Sequence, residues 1–318
     1  MTGTAPLRIA LAQFDFLVGD VRGNVARVID TARAAQAQRA DLVVFPELAL
    51  SGYPPEDLLF HRGFRLQVEA GLAELCRGLG DMAALVGLPE YSGTQIYNSS
   101  ALVARGAVQA MHRKGALPNY QVFDEKRYFS AGAQPTVVDV RGVRIGVLVC
   151  EDIWEREAAQ LAKSAGAELL VVSNASPYQL HKQRDREAVA QARAREVGLP
   201  LAYVNLVGGQ DELVFDGQSF AMDAGGAVAM RAPAYAEGLH IVEFERDTRG
   251  ALAPRAAPVA PELPEVASVY GALVLGVRDY VGKHRFPGVV MGLSGGIDSA
   301  LTLAIAVDAL GAAQVHAV

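Results

Sequence analysis

The chain alternates between two kinds of segment, and that alternation restricts it to few folds. LRIALAQ (7–13), DLVVFPE (41–47), AALVGLPE (83–90), VRIGVLVC (143–150) and the runs at 168–173 and 200–206 are short, apolar and bounded by turn residues, as strands are. Between them, NVARVIDTARAAQAQRA (24–40) and the stretches 64–79, 154–165 and 180–197 carry apolar residues at helical spacing. Hairpins interrupt the pattern. SSALVARG and AVQAMHR fold back at Gly106, TVVDV and VRIGVLVC at Arg141-Gly142, and ELVFDGQSFAMDAGGAVAM (212–230) reads as paired strands turning at Asp223–Gly226. Strands alternating with helices, with hairpins mixed in, predict α/β layers around a mixed sheet. The runs 42–45, 145–149 and 169–172 are apolar throughout, so both their faces should be covered.

Composition narrows the class further. A chain of 318 residues has room for two domains, and 51% hydrophobic with 20% charged residues is an ordinary globular balance. The net charge of −6 gives no electrostatic footprint for nucleic acid. Two cysteines, Cys76 and Cys150, do not make a disulfide framework, and a reducing compartment is expected. The opening MTGTAPLRIALAQFDF lacks the basic and apolar regions of a secretory signal, and no run of about 18 apolar residues occurs. A cytoplasmic location without a membrane partner is therefore expected. The six histidines are isolated in sequence, so no metal is expected in the first domain.

The pattern divides the chain into a first domain at 1–246, a proline-rich linker at 247–266 and a second unit at 267–318. The linker RDTRGALAPRAAPVAPELPEV carries Pro254, Pro258, Pro261 and Pro264 and has no periodicity. Beyond it, VASVYGALVLGVRDYVGKH reads as a helix, GVVMGL as a strand, SGGIDSALTLAIAVDALG as a glycine turn opening a helix, and VHAV as the start of another strand. This is the beginning of a βαβ unit.

Three strand ends in the first domain carry chemistry. VVFPE ends on Glu47, HRKGALPNY sets Lys114 just past a strand, and VLVCED ends on Cys150. In layered α/β proteins, side chains at strand ends project beyond the packed core. A thiol can attack a carbonyl carbon, a carboxylate can take its proton and return it to a leaving amine, and an ammonium can stabilise the oxyanion. Singly, each residue has a plainer role: a buried small hydrophobe, a solvated strand end, a surface lysine. Glu151 and Asp152 pose a further problem, because acids beside a thiol disfavour the thiolate.

Taken together, FPELALSGYPPEDLL, KGALPNYQVFDEKRYF and CEDIW resemble the three motifs of the nitrilase, or carbon–nitrogen hydrolase, superfamily, in the branch found in glutamine-dependent NAD synthetases. The resemblance spans about residues 7–245. It implies an α-β-β-α sandwich that packs against a second copy, hence a homo-oligomer, with Glu47, Lys114 and Cys150 as the catalytic triad. It also implies that Tyr53, Tyr120, Phe123 and Glu151 line a glutamine pocket and that Glu125 orients Lys114. Ser176 and Lys182, in NASPYQLHKQRDRE, fall in the stretch that closes the pocket. Core packing is the competing role for the aromatic residues, and a solvated helix face for most of the charges at 182–187.

SGGIDS has two readings. Gly292-Leu293-Ser294-Gly295-Gly296 matches the G-x-S-x-G nucleophile elbow, but that mechanism needs an acid and a histidine after the serine, and little chain follows. The other reading is a phosphate cradle, in which Gly295 and Gly296 expose backbone N–H groups at a helix N-terminus, Ser294 and Ser299 donate hydroxyls, and Asp298 faces phosphate through Mg²⁺. It resembles the PP-loop of ATP pyrophosphatases with an adenine-nucleotide α-hydrolase-like fold, including the synthetase half of the same NAD synthetases. The resemblance implies that the complete enzyme hydrolyses glutamine through a thioester. It would then use the ammonia, with ATP and Mg²⁺, to convert nicotinic acid adenine dinucleotide to NAD. Ending at Val318, this chain is expected to be a fragment, at most the glutaminase half. The alternatives are a free-standing nitrilase-type amidase acting on another small amide, and a non-catalytic module.

Overall fold

Backbone pairing arranges the strand-like runs into two sheets laid face to face. A computed structural model describes residues 5–318; residues 1–4 of the first expected domain lie outside the described ones. In chain order the elements are β1 (Leu7–Gln13), α1 (Val21–Ala37), β2 (Leu42–Val44), α2 (Arg62–Gly78), β3 (Ala83–Ser92), β4 (Gln95–Ala104) and β5 (Ala107–Arg113). Next come α3 (Glu125–Tyr128), β6 (Thr136–Val140), β7 (Val143–Val149), α4 (Arg156–Ser164), β8 (Leu169–Asn174), α5 (Lys182–Val197), β9 (Leu201–Asn205) and β10 (Val207–Gln210). They are followed by β11 (Leu213–Asp216), β12 (Phe220–Met222), β13 (Val228–Arg231), β14 (Gly238–Arg246) and β15 (Leu252–Pro254). The last are α6 (Glu265–Lys283), β16 (Val289–Met291), α7 (Ile297–Leu310) and β17 (Val315–Ala317).

The first sheet has the order β15-β14-β1-β2-β3-β4-β5 and the second β13-β12-β9-β8-β7-β6. Each is parallel at its centre (β1/β2/β3 and β7/β8/β9) and antiparallel at its flanks. Ile9, Leu11, Leu42, Val44 and Leu85 of one sheet meet Ile145, Val147, Leu169, Val171 and Val204 of the other in a fully buried layer. Burying each such side chain is worth about 1.5–3 kcal/mol. The outer face of the first sheet is covered by α1 and α2 through Val25, Val28, Val68 and Leu75, and that of the second by α4 and α5 through Ala159, Ala190 and Ala194. The result is the expected α-β-β-α sandwich. Both hairpins turn where read: Arg105 and Gly106 adopt φ of 52° and 77°, Arg141 and Gly142 of 54° and 77°.

Three features differ from the reading of the sequence. β14, nine residues long and paired antiparallel with β1, is not among the strands that the sequence predicts. Only β12 and β13 form the hairpin expected within 212–230; β11 pairs with β10 in a separate ribbon. The stretch 247–266 is also tied down. Leu252–Pro254 adds β15 to the edge of β14, Arg255 N donates to Glu243 O at 2.7 Å, and Ala257 N and Ala260 N donate to Ala229 O and Arg231 O at 2.9 Å. The segment thus runs from the edge of one sheet to the edge of the other. Of its prolines, which lack an N–H, Pro254 stands in the edge strand β15, Pro258 and Pro261 lie outside any strand and Pro264 precedes α6, so none removes an interior ladder bond.

The helix α6 rests on the β10–β11 ribbon. Gly209 N donates to Asp279 Oδ2 at 2.7 Å, Lys283 Nζ donates to Asp15 Oδ1 at 2.8 Å, and Leu275 is buried. Past it, β16 and β17 pair in parallel with α7 between them, the βαβ unit that the sequence begins.

Candidate active site

Three strand ends and one short helix converge at one end of the sandwich. After β2, Pro46 interrupts the ladder and the chain turns sharply through Glu47 and Leu48, whose φ is 50°. This turn lies directly on β3 at Gly87, where a Cβ would come within 2.3 Å of Leu48 N. The close approach buries Glu47, whose Oε1 accepts from Lys114 Nζ at 2.8 Å and Asn98 Nδ2 at 2.7 Å, and whose Oε2 accepts from Ala175 N at 3.0 Å.

Lys114 follows β5 and its N–H donates to Asn98 O at 2.8 Å. Its ammonium is wholly buried and also donates to both oxygens of Glu125, each at 2.9 Å. Glu125 opens α3 and accepts from the Tyr53 hydroxyl at 3.2 Å. Burial pushes the Lys114 ammonium toward the neutral form, but the Glu125 and Glu47 carboxylates outweigh it and hold its pKa well above the ordinary range. Burial, only partly offset by Lys114, raises the Glu125 carboxyl.

Cys150 stands at the end of β7 with φ of 45°, a left-handed conformation unusual for a side chain with a Cβ and a mark of strained functional turns. Its thiol is buried. Burial first, and the Glu47 carboxylate second, push its pKa well up, with Lys114 opposing them. Burial and the Glu47 carboxylate thus both favour the neutral thiol over the thiolate. The acids that follow Cys150 point different ways. Glu151 is half-buried and accepts from the Tyr120 hydroxyl at 3.0 Å, and the exposed Tyr120 ring stands edge-on to Phe123. Tyr120 and Glu151 line a cavity of about 700 Å³ beside this site, and Tyr53, Phe123 and Glu125 line another of about 320 Å³. Asp152 turns inward and is buried among backbone N–H groups.

Glu47, Lys114, Glu125, Tyr53 and Cys150 thus form one buried cluster, with Tyr120, Phe123 and Glu151 at its margin. Ser176 is buried nearby, its neighbour Ala175 touching Glu47, but its Oγ accepts from Arg186 Nε at 3.0 Å. Lys182 stands apart. Its ammonium lies 4.3 Å from the Trp154 ring centroid, and it lines a separate cavity of about 220 Å³ with Glu262 and Ser268. The sequence reading missed Asn98 and gave Asp152 no role. Asn98 holds Glu47 by its side chain and Lys114 by its backbone, and the signal available for it was its place on β4 beside the strand leading into Lys114.

The SGGIDS residues lie in the other unit. Gly295 has φ of 82°, α7 starts at Ile297, and Ser294, Gly295, Gly296 and Asp298 are exposed while Ser299 is half-buried. Ser299 Oγ donates to Gly296 O at 3.0 Å and lies 3.1 Å from Ser294 Oγ. Among the described residues, no cluster of three or more potential metal ligands occurs. No described helix is long and apolar enough to cross a membrane.

A four-layer sandwich thus gathers a buried carboxylate, ammonium and thiol at its strand ends. The family model for carbon-nitrogen hydrolase matches residues 8–254, and the chain belongs to that family; a second model, NAD synthase, matches residues 269–318. The chain is 47% identical over 98% of its length to the glutamine-dependent NAD(+) synthetase of Xylella fastidiosa, and spans 58% of that relative. The structure of glutamine-dependent NAD+ synthetase from Acinetobacter baumannii in complex with ADP is 42% identical and superposes with a TM-score of 0.94, over 98% of this chain and 59% of that one. An amidase from Nesterenkonia sp. AN1, solved after Michael addition of acrylamide at its active-site cysteine, is 29% identical with a TM-score of 0.67, over 74% of this chain and 92% of that one.

Proposed function

We propose that this chain carries the glutamine-hydrolysing half of a glutamine-dependent NAD synthetase. The observation that supports this best is the Lys114 ammonium, wholly buried and held between Glu47 and Glu125 in the same electrostatic field as the Cys150 thiol. Glu47 takes the thiol proton as Sγ attacks the amide carbon. Lys114 stabilises the oxyanion. Two of its three N–H groups go to one carboxylate, Glu125, so one can turn to the new oxygen while Glu125 keeps the other. Collapse breaks the carbon–nitrogen bond, Glu47 returns the proton to nitrogen, and ammonia leaves a thioester. Water then attacks, giving its proton to Glu47, and glutamate and the free thiol are released. Tyr53, Tyr120, Phe123 and Glu151 form the pocket, with Glu151 accepting the ammonium group of glutamine. Ser176 supports the site from behind, through its neighbour Ala175, whose N–H holds Glu47, and Lys182, outside the cluster, takes no part in this reading.

In a protein of its relatives' length, the ammonia would amidate nicotinic acid adenine dinucleotide to NAD at the expense of ATP. Ser294, Gly295, Gly296 and Ser299 would hold ATP phosphates, a role supported by the glycine turn at the start of α7 and by the NAD synthase match. A lone exposed carboxylate, Asp298, suits Mg²⁺, which is commonly held by one or two carboxylates and the phosphates themselves. When bound, the ion would offset phosphate charge.

Ammonia release from glutamine, compared between this chain and Cys150→Ala, tests the hydrolytic reading. Loss of release in the variant supports it, and equal rates refute it. NAD formation from glutamine, ATP and nicotinic acid adenine dinucleotide, in a protein extended to its relatives' length, tests the coupled reaction.

A further inference from the structure

Asp152 offers four acceptor contacts and none to solvent. Its Oδ1 accepts from Gly115 N and Ala116 N, each at 2.9 Å, and its Oδ2 accepts from Val149 N at 2.9 Å and meets His112 Nε2 at 3.1 Å. The carboxylate is 2% exposed. Gly115 and Ala116 immediately follow Lys114, and Val149 immediately precedes Cys150. One side chain therefore bridges the segment carrying the ammonium and the segment carrying the thiol. Gly115 and Ala116 lie just past the end of β5 and Val149 is the last residue of β7, so each N–H stands where a ladder runs out and a buried donor needs another acceptor. His112 extends the bridge, its Nδ1 lying 3.3 Å from Thr136 Oγ1, so the edge strands of the two sheets, β5 and β6, are joined at the same point.

A buried carboxylate costs several kcal/mol unless its oxygens are satisfied. An apolar side chain packed here would avoid that cost but leave the N–H groups of Gly115, Ala116 and Val149 without this acceptor. The position of the charge at the junction of two functional segments is what distinguishes it from an ordinary core polar group. Hydrogen bonds to an ionised acceptor are about twice as strong as neutral ones, and three of these come from backbone donors, which cannot turn away as side-chain donors can.

We infer that Asp152 is a positioning residue that fixes the separation of Lys114 and Cys150 for hydrolysis, with His112 holding it in place. The inference rests on the hydrolytic reading above. It predicts a loss of rate that exceeds any loss of binding, because the hydrogen bonds of Asp152 hold the segments carrying Lys114 and Cys150 and none goes to Tyr120, Phe123 or Glu151.

The test compares ammonia release from glutamine by the full chain, Asp152→Asn, His112→Ala and Cys150→Ala, with a thermal melt of each. In Asp152→Asn, which keeps the shape but replaces one acceptor by a donor, kcat is expected to fall about 10²-fold, the scale of a misplacement near 1 Å. KM should stay within roughly twofold. A folded Asp152→Asn with wild-type kcat, or with a raised KM alone, overturns the inference. If that variant does not fold, His112→Ala, which leaves the three backbone donors, should lower kcat about fivefold at unchanged KM; wild-type kcat there overturns it equally. Equal release by the wild-type chain and Cys150→Ala removes the hydrolytic reading and this inference together, an outcome distinct from failure of Asp152→Asn alone.

Discussion

At Cys150 the balance of neighbouring charge decides how the sulfur reacts. Its folded pKa is raised, so the neutral thiol favours the folded state at low pH and that contribution is lost as pH rises through the raised value. Alkylation of Cys150 by iodoacetamide, followed by peptide mass, should therefore still be rising steeply at about pH 10, where an ordinary thiol is already mostly ionised; a plateau by that pH contradicts the assignment. Asp152 has the opposite sign. Burial acts to raise its carboxyl, but the His112 and backbone hydrogen bonds outweigh it and hold the pKa low, so its contribution to stability is complete above about pH 4 and is lost as pH falls through the folded value. A pH series of melts should show Asp152→Asn converging on the wild type at acid pH, and a constant gap down to about pH 2 would exclude this. Glu151 meets the Tyr120 hydroxyl at the cavity, so Glu151→Gln should raise KM for glutamine more than it slows Cys150 alkylation. The reverse ratio would mean that Glu151 tunes the sulfur instead.

Among the elements, the turn after β2 depends on a contact that only one residue type permits. Gly87 leaves room for Leu48 N and Pro46 O, which a Cβ would approach to 2.3 and 2.7 Å. Gly87→Ala is expected to cost about 1–3 kcal/mol of stability and to impair hydrolysis by moving Glu47. The denaturant midpoint and the ammonia assay report the two effects, and an unchanged midpoint would show that the turn yields freely. Local pattern made β1, the two hairpins and the βαβ start legible, because each is set by alternation and turn residues within a dozen positions. β14 shows the limit. Its inward residues Val242 and Phe244 alternate with Ile241, Glu243 and Glu245 and could have been read, but it lies next to proline-rich chain and its partner β1 is at the other end of the domain. The β11 strand shows a different limit, since pattern gives a strand but not its partner.

For the whole molecule, the two family matches meet where α6 rests on the β10–β11 ribbon. Leu275 is 2% exposed there, beside the Gly209–Asp279 and Lys283–Asp15 contacts. Leu275→Asp buries an unpaired charge at this contact. It should free α6, so that trypsin cuts at Arg249 and Arg255 sooner than in the wild type while the sandwich resists; an unchanged digestion pattern would mean that the linker alone holds the units together. By itself, the sequence determined the layered α/β class, the strand ends bearing Glu47, Lys114 and Cys150, and the glycine turn at Ser294–Ser299, because periodicity and turn chemistry are local properties of the chain. Tertiary structure alone decided which donors meet Glu47, how Lys114 divides its three N–H groups, that Lys182 stacks on Trp154 outside the cluster, and that Asp152 bridges two segments. Those contacts join residues far apart in sequence, and burial, which sets their protonation, exists only once both sheets have closed.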